Sequence, residues 1–152
     1  DQDLKKIVVK NYVNIGIAVD TPEGLIVPNI KNVLEKSIVN IAEEIAILAS
    51  AAKTRKLKLP DLKGSSFTVS SLGAIGGKFF TPIINPPEVG ILGVSKTFSK
   101  VVVKNEGFES REFLPLSLSY DHRVINGVYA AQFITQLGTA LGDAKLMEKK
   151  FK

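Results

Sequence analysis

The sequence predicts an α/β domain built as a two-layer sandwich, a mixed sheet with helices on one face. Three observations lead there. Short apolar segments of strand character recur along the chain, punctuated by glycine, proline and asparagine. Two longer stretches place apolar residues at helical spacing. The 152 residues, 45% of them hydrophobic and 23% charged, are enough for one ordinary core. No internal repeat or low-complexity linker divides them, so residues 1–152 are taken as one domain.

The elements follow in order. Leu4-Lys5-Lys6-Ile7-Val8-Val9 is strand-like from the outset, and Asn11 to Val19 is a second strand candidate, with Val13, Ile15, Ile17 and Val19 alternating. Asp20-Thr21-Pro22-Glu23-Gly24 supplies a turn, after which Leu25-Ile26-Val27 is extended and stopped by Pro28. Ile38, Ile41, Ile45, Leu48 and Ala52 recur every three or four residues and line one helical face. Ser37 is placed to cap that helix, which is expected to end near Leu57, before Pro60. Gly64 to Gly73 reads as a strand entering a glycine-rich loop. Thr81-Pro82-Ile83-Ile84-Asn85-Pro86-Pro87-Glu88 is irregular and stiff, and Val89 to Val94 is a buried strand. Lys100–Lys104 and Glu112–Ser119 flank Asn105-Glu106-Gly107 as a hairpin. Ala130, Phe133, Ile134, Leu137 and Leu141 mark a second amphipathic helix.

Composition narrows the chemistry. Without cysteine there is no disulfide, thiolate zinc site or cysteine nucleophile. No apolar run approaches the length that spans a bilayer, and Asp1 to Lys6 lacks the hydrophobic centre of a signal peptide. The net charge of +5 is concentrated in Lys53, Arg55, Lys56, Lys58 and Lys63 and in Lys145, Lys149, Lys150 and Lys152. Apart from Phe151, neither cluster carries the interleaved aromatics that stack nucleic-acid bases, so solvated faces are expected, with no nucleic acid or membrane as partner. Gly73, Gly76 and Gly77 permit unusual backbone, but no Gly-Lys-Ser/Thr ending makes them a phosphate loop.

The only histidine, His122, stands between the alternating run Phe113–Ser119 and the first turns of the second helix. Imidazole is the side chain whose ordinary pKa suits proton transfer near neutrality. A lone histidine at such a junction more often satisfies local hydrogen bonds, so position alone does not make it catalytic.

Several segments together carry a resemblance: Gly16 to Pro28, Phe67-Thr68-Val69-Ser70-Ser71-Leu72-Gly73, Ile83 to Glu88, Ile91-Leu92-Gly93-Val94 and Asp121-His122-Arg123-Val124-Ile125-Asn126-Gly127. In this order they resemble the catalytic domain of the dihydrolipoamide acyltransferases, core subunits of 2-oxo acid dehydrogenase complexes, most like the bacterial pyruvate-type members. The last segment looks like the family's His-x-x-x-Asp-Gly signature, with Asn126 at the aspartate position. The resemblance implies that residues 1–152 are an acyltransferase catalytic domain without its N-terminal portion and without lipoyl and subunit-binding domains.

The resemblance implies a chloramphenicol-acetyltransferase-like fold and transfer of an acetyl group between S-acetyldihydrolipoyl and coenzyme A. It implies that His122 is the general base, that Ser70 donates its hydroxyl to the oxyanion and that Asn126 holds the loop and histidine in place. Ser71 is expected to point the other way, by strand alternation. Asp121 and Arg123 are expected to anchor the turn, and Phe80 and Thr81 to line a coenzyme A channel. Implied partners are lipoyl domains, carrying the lipoyl group, and other subunits of the complex. A homotrimer would bring Ser70 and His122 together across a subunit boundary and assemble into a larger core. The implied location is the bacterial cytoplasm, or the mitochondrial matrix in a eukaryote. Two alternatives stay open, a structural core piece without turnover and a stand-alone chloramphenicol-type acetyltransferase.

Overall fold

The computed structural model describes residues 6–104, 107–145 and 147. Among the described residues nine strands are formed: β1 (Ile15–Ile17), β2 (Val19–Thr21), β3 (Gly24–Ile26), β4 (Asn29–Ile30), β5 (Phe67–Ser71), β6 (Gly90–Val94), β7 (Phe98–Lys104), β8 (Gly107–Phe113) and β9 (Leu116–Tyr120). The helices are α1 (Ile38–Lys53), α2 (Leu59–Leu62) and α3 (Gly127–Gly142). Five strands make the central mixed sheet in the order β4-β1-β5-β6-β9. β1, β5 and β6 run parallel, with β4 and β9 antiparallel at the edges. β2–β3 and β7–β8 are separate two-stranded ribbons.

Register assigns residues to the two faces of the sheet. Gly16, Thr68 and Ile91 stand abreast, with Ser70 and Gly93 two residues further along on the same face. Phe67 lies on the opposite face, where its ring meets Phe133 of α3 with centroids 5.9 Å apart. β6, flanked by β5 and β9, is buried from Gly90 to Gly93, as expected for an interior strand covered on both sides. Buried Asn14 staples three segments. It accepts a bond from Asn32 N–H at 2.8 Å, donates to the Gly64 carbonyl at 3.0 Å, and its own N–H donates to Ser66 Oγ at 3.0 Å.

Ser37 caps α1 as expected, its hydroxyl accepting from Asn40 N–H at 3.2 Å. Of the apolar stripe, Ala52 is buried and Ile41, Ile45 and Leu48 are half-buried, whereas Ile38 is exposed. The helix stops at Lys53 rather than near Leu57, because Arg55 turns into the left-handed region at φ 56. Pro60 then sits in the first turn of α2, which the sequence did not signal, where its missing N–H costs no helical bond.

The extended segments differ more. Residues 6–9 form no strand, and Ile7, Val8 and Val9 are exposed; Leu4 and Lys5 lie outside the described residues. The single strand expected over Asn11–Val19 is two, since Ala18 donates to Val69 O at 3.0 Å while the next residue enters the β2–β3 ribbon. Alternation misleads there because Asn14 and Gly16 are buried, whereas Val13, Ile15 and Ile17 on either side of them are half-buried. The hairpin's second arm is Gly107–Phe113, not Glu112–Ser119: buried Pro115 separates it from β9, and Phe98 pairs with Phe113. Its expected turn residues Asn105 and Glu106 lie outside the described residues.

Candidate active site

Ser70 lies near the end of β5, on the sheet face away from Phe133. There it lines a cavity of about 420 Å³ between the sheet, the β2–β3 ribbon and the long connection from β5 to β6. Leu25, Val27, Ile91, Ile83 and Pro86 make its walls largely apolar, and its polar side chains are Ser70, Thr68 and Asn85. Two glycines allow this packing. A Cβ at Gly93 would come within 2.9 Å of the Phe80 ring and 3.2 Å of Pro82, and one at Gly16 within 2.6 Å of Thr68 Oγ1 and 2.9 Å of Val27. The Thr68 hydroxyl is fully buried and finds no hydrogen-bond partner among the described residues. Ser71 points to the other side, its Oγ accepting a long bond of 3.4 Å from Gly73 N–H.

His122 occupies the exposed turn between β9 and α3, its ring centroid 5.7 Å from that of Tyr120. The turn is built by its neighbours. Asp121 N–H donates to Val89 O at 2.9 Å, and the Asp121 carbonyl accepts from Val124 and Ile125 at 3.0 and 2.9 Å. The Asp121 carboxylate takes the Arg123 guanidinium at 2.9 and 2.6 Å and the Arg123 backbone N–H at 3.0 Å. Those bonds, the guanidinium's first, hold its pKa down at about 2 and raise that of Arg123. Asn126 closes the turn as N-cap of α3, its Oδ1 accepting from Tyr129 N–H at 2.8 Å.

Within one chain Ser70 and His122 do not meet. Ser70 pairs with Gly93, which faces Ser117, whereas Tyr120 faces Gly90, at the other end of β6. Tyr120 is thus three residues, about 10 Å, down the sheet from Ser70 and two strands, roughly another 10 Å, across it. Beyond Tyr120 the antiparallel β9 runs further from Ser70. Neither Phe80 nor Thr81 lines the cavity: Phe80 is half-buried against Gly93 and Thr81 is exposed, while their neighbour Pro82 does line it.

Sequence reasoning missed Thr68, Asn85 and Glu88 as members of this region. Glu88 is 7% exposed and sits behind Asn85, bonded to it and to the Ser65 hydroxyl. In sequence, Asn85 and Glu88 are part of an irregular, proline-rich connection, and only the fold turns that connection onto the sheet.

Comparison with known proteins adds the context. A family model described as 2-oxoacid dehydrogenases acyltransferase (catalytic domain) matches residues 1–148. The dihydrolipoyllysine-residue acetyltransferase component of the pyruvate dehydrogenase complex of Azotobacter vinelandii is 55% identical over 136 residues, 90% of this chain and 21% of the relative. That of Pseudomonas aeruginosa is 52% identical over 143 residues, 94% of this chain and 26% of the relative. Among solved structures, the Azotobacter dihydrolipoamide acetyltransferase, investigated for the role of a serine, a histidine and an asparagine in its catalytic mechanism, superimposes with a TM-score of 0.89 at 52% identity. The cubic core of the pyruvate dehydrogenase multienzyme complex gives the same TM-score and identity. In both cases 94% of this chain is covered and 59% of the solved one, so the chain spans about three fifths of those structures and about a fifth to a quarter of these curated relatives.

Proposed function

This chain belongs to the acyltransferases of the 2-oxoacid dehydrogenases, in their catalytic domain, and on that premise we propose that it transfers an acetyl group between S-acetyldihydrolipoyl and coenzyme A in the core of a pyruvate dehydrogenase-type complex. One observation carries the reading. His122 follows Ser70 by 52 residues and Asn126 follows His122 by four, the same residue types at the same spacing as the serine, histidine and asparagine studied in the Azotobacter enzyme.

The chemistry follows from those groups. His122 takes the proton of the coenzyme A thiol, and the thiolate attacks the thioester carbonyl. The Ser70 hydroxyl donates to the oxyanion that forms. When the tetrahedral intermediate collapses, the dihydrolipoyl sulfur leaves and His122 returns the proton to it. Asn126 positions the histidine turn through its cap on α3, and Asp121 with Arg123 stiffens the same turn. Because Ser70 and His122 lie apart within one chain, a second copy completes the site. A homotrimer, assembling into a larger core and visited by lipoyl domains, supplies that copy. The working compartment is the bacterial cytoplasm, or the mitochondrial matrix in a eukaryote.

The test is acetyl transfer from acetyl-coenzyme A to dihydrolipoamide by the assembled enzyme. His122→Ala is expected to lower turnover about 10²–10⁴-fold, and Ser70→Ala about 10²–10³-fold. Undiminished transfer by His122→Ala sinks the reading.

A further inference from the structure

Glu88 is a carboxylate for which the transfer chemistry has no use. It is 7% exposed and forms no ion pair among the described residues. One oxygen, Oε1, accepts from the Ser65 hydroxyl and, at 3.3 Å, from Asn85 Nδ2; Oε2 is buried without a partner. A buried, unpaired carboxylate is expensive, and a neutral side chain would fold better in its place. What the arrangement secures is the orientation of Asn85. Because Glu88 Oε1 accepts from Asn85 Nδ2, the Asn85 carboxamide has its nitrogen turned toward Glu88. Asn85 lines the cavity that holds Ser70, and its remaining polar atom, Oδ1, is an acceptor.

We infer that Asn85 is a specificity-determining residue of this site, its carbonyl Oδ1 accepting the N–H of an amide on the acyl-carrying arm, with Glu88 and Ser65 as the positioning residues that lock it. The inference rests on the acyl-transfer reading above. Of the two amide-bearing substrates in that reading, the dihydrolipoyl arm fits better. Apart from its second thiol it is a saturated chain up to the amide, and the cavity wall offers Val27, Ile84, Pro86 and Ile91 to such a chain. The pantetheine arm of coenzyme A carries two amides and a hydroxyl, for which this wall has fewer polar groups.

The test compares the assembled parent enzyme with Asn85→Ala and Glu88→Gln. Dihydrolipoamide, which carries the amide, is set against dihydrolipoate, which does not; calorimetric binding of each is measured beside KM and kcat. The parent is expected to favour the amide. Asn85→Ala is expected to raise the KM and the Kd for dihydrolipoamide about 3- to 10-fold, the worth of one hydrogen bond, with kcat and the dihydrolipoate values within about twofold. Glu88→Gln, nearly the same shape, offers Asn85 a donor as well as an acceptor; it unlocks the carboxamide and gives a smaller rise in the same quantities. It keeps the proposal testable if Asn85→Ala does not fold. Equal amide preference in parent and variants overturns the inference, as does a parent with no preference. A rise confined to the KM of coenzyme A overturns the dihydrolipoyl assignment. A parent that binds the amide selectively but transfers no acetyl group removes the transferase reading and leaves the amide site standing.

Discussion

Thr68 carries a hydroxyl that folding alone penalises. It is fully buried between Gly16 and Ile91, and its Oγ1 has no partner among the described residues. Valine has nearly the same shape and no polar atom to desolvate. Thr68→Val is therefore expected to raise unfolding stability by about 1 kcal/mol, read from denaturant midpoints at unchanged m-value. A loss of that size instead would mean that the hydroxyl has a partner in solution. Asp121 gives a residue-scale prediction with a sign. Its carboxyl titrates at about 2, below its ordinary 3.8, because the Arg123 side chain and backbone N–H stabilise the charged form. The stabilisation is present above the unfolded value, near pH 4, and drains away as pH falls toward 2. In an NMR titration, Arg123→Gln should move the Asp121 midpoint up toward 3.8, and an unmoved midpoint would refute the pairing. Ser70 and His122 could be named as candidates at this scale because their motifs carry the family resemblance. Thr68, Asn85 and Glu88 were not, since what sets them apart is the burial of an unsatisfied or unpaired group, and only packing reveals that.

At the scale of elements, α3 joins the histidine turn to the rest of the fold. Its amphipathic pattern was readable, but the part Asn126 plays in starting it was not: the residue at the signature position is also the helix cap. Asn126→Ala is expected to cost about 1 kcal/mol through the lost cap, whereas Asn126→Asp keeps it, because aspartate caps as well as asparagine and its charge suits a helix N-terminus. Chemical denaturation separates the two variants. If Asn126→Asp falls as far as Asn126→Ala, the cap is not what Asn126 contributes. Strands were read less well than helices for a physical reason. A helix carries its hydrogen bonds internally, so its period is written in its own residues. A strand such as β1 depends on neighbours at both edges, and in a sheet covered on both sides Asn14 and Gly16 are buried while Ile15 between them is half-buried. The two-residue β4 and the split between β1 and β2 depend on pairing partners that local sequence does not name.

For the whole molecule the decisive fact is a distance built into topology. β5 and β9 are both joined to β6, but β9 is antiparallel, so Ser70 near the end of one and His122 beyond the end of the other are carried toward opposite ends of the sheet. No side-chain rearrangement closes two strand spacings and three residues of strand. If both groups serve one reaction, each active site takes its serine from one copy and its histidine from the next, in a head-to-tail ring. That arrangement predicts complementation. Ser70→Ala and His122→Ala enzymes, each nearly inactive, should regain activity when unfolded together, mixed in equal amounts and refolded. Random assembly leaves about one interface in four with both groups intact, so transfer should return to about a quarter of the parent rate. If the site were contained within one chain, no mixture of the two variants could contain a complete copy, and activity would stay at the level of the separate variants. Size-exclusion chromatography of the mixture guards against failed assembly, because only particles of the parent's size count in the comparison.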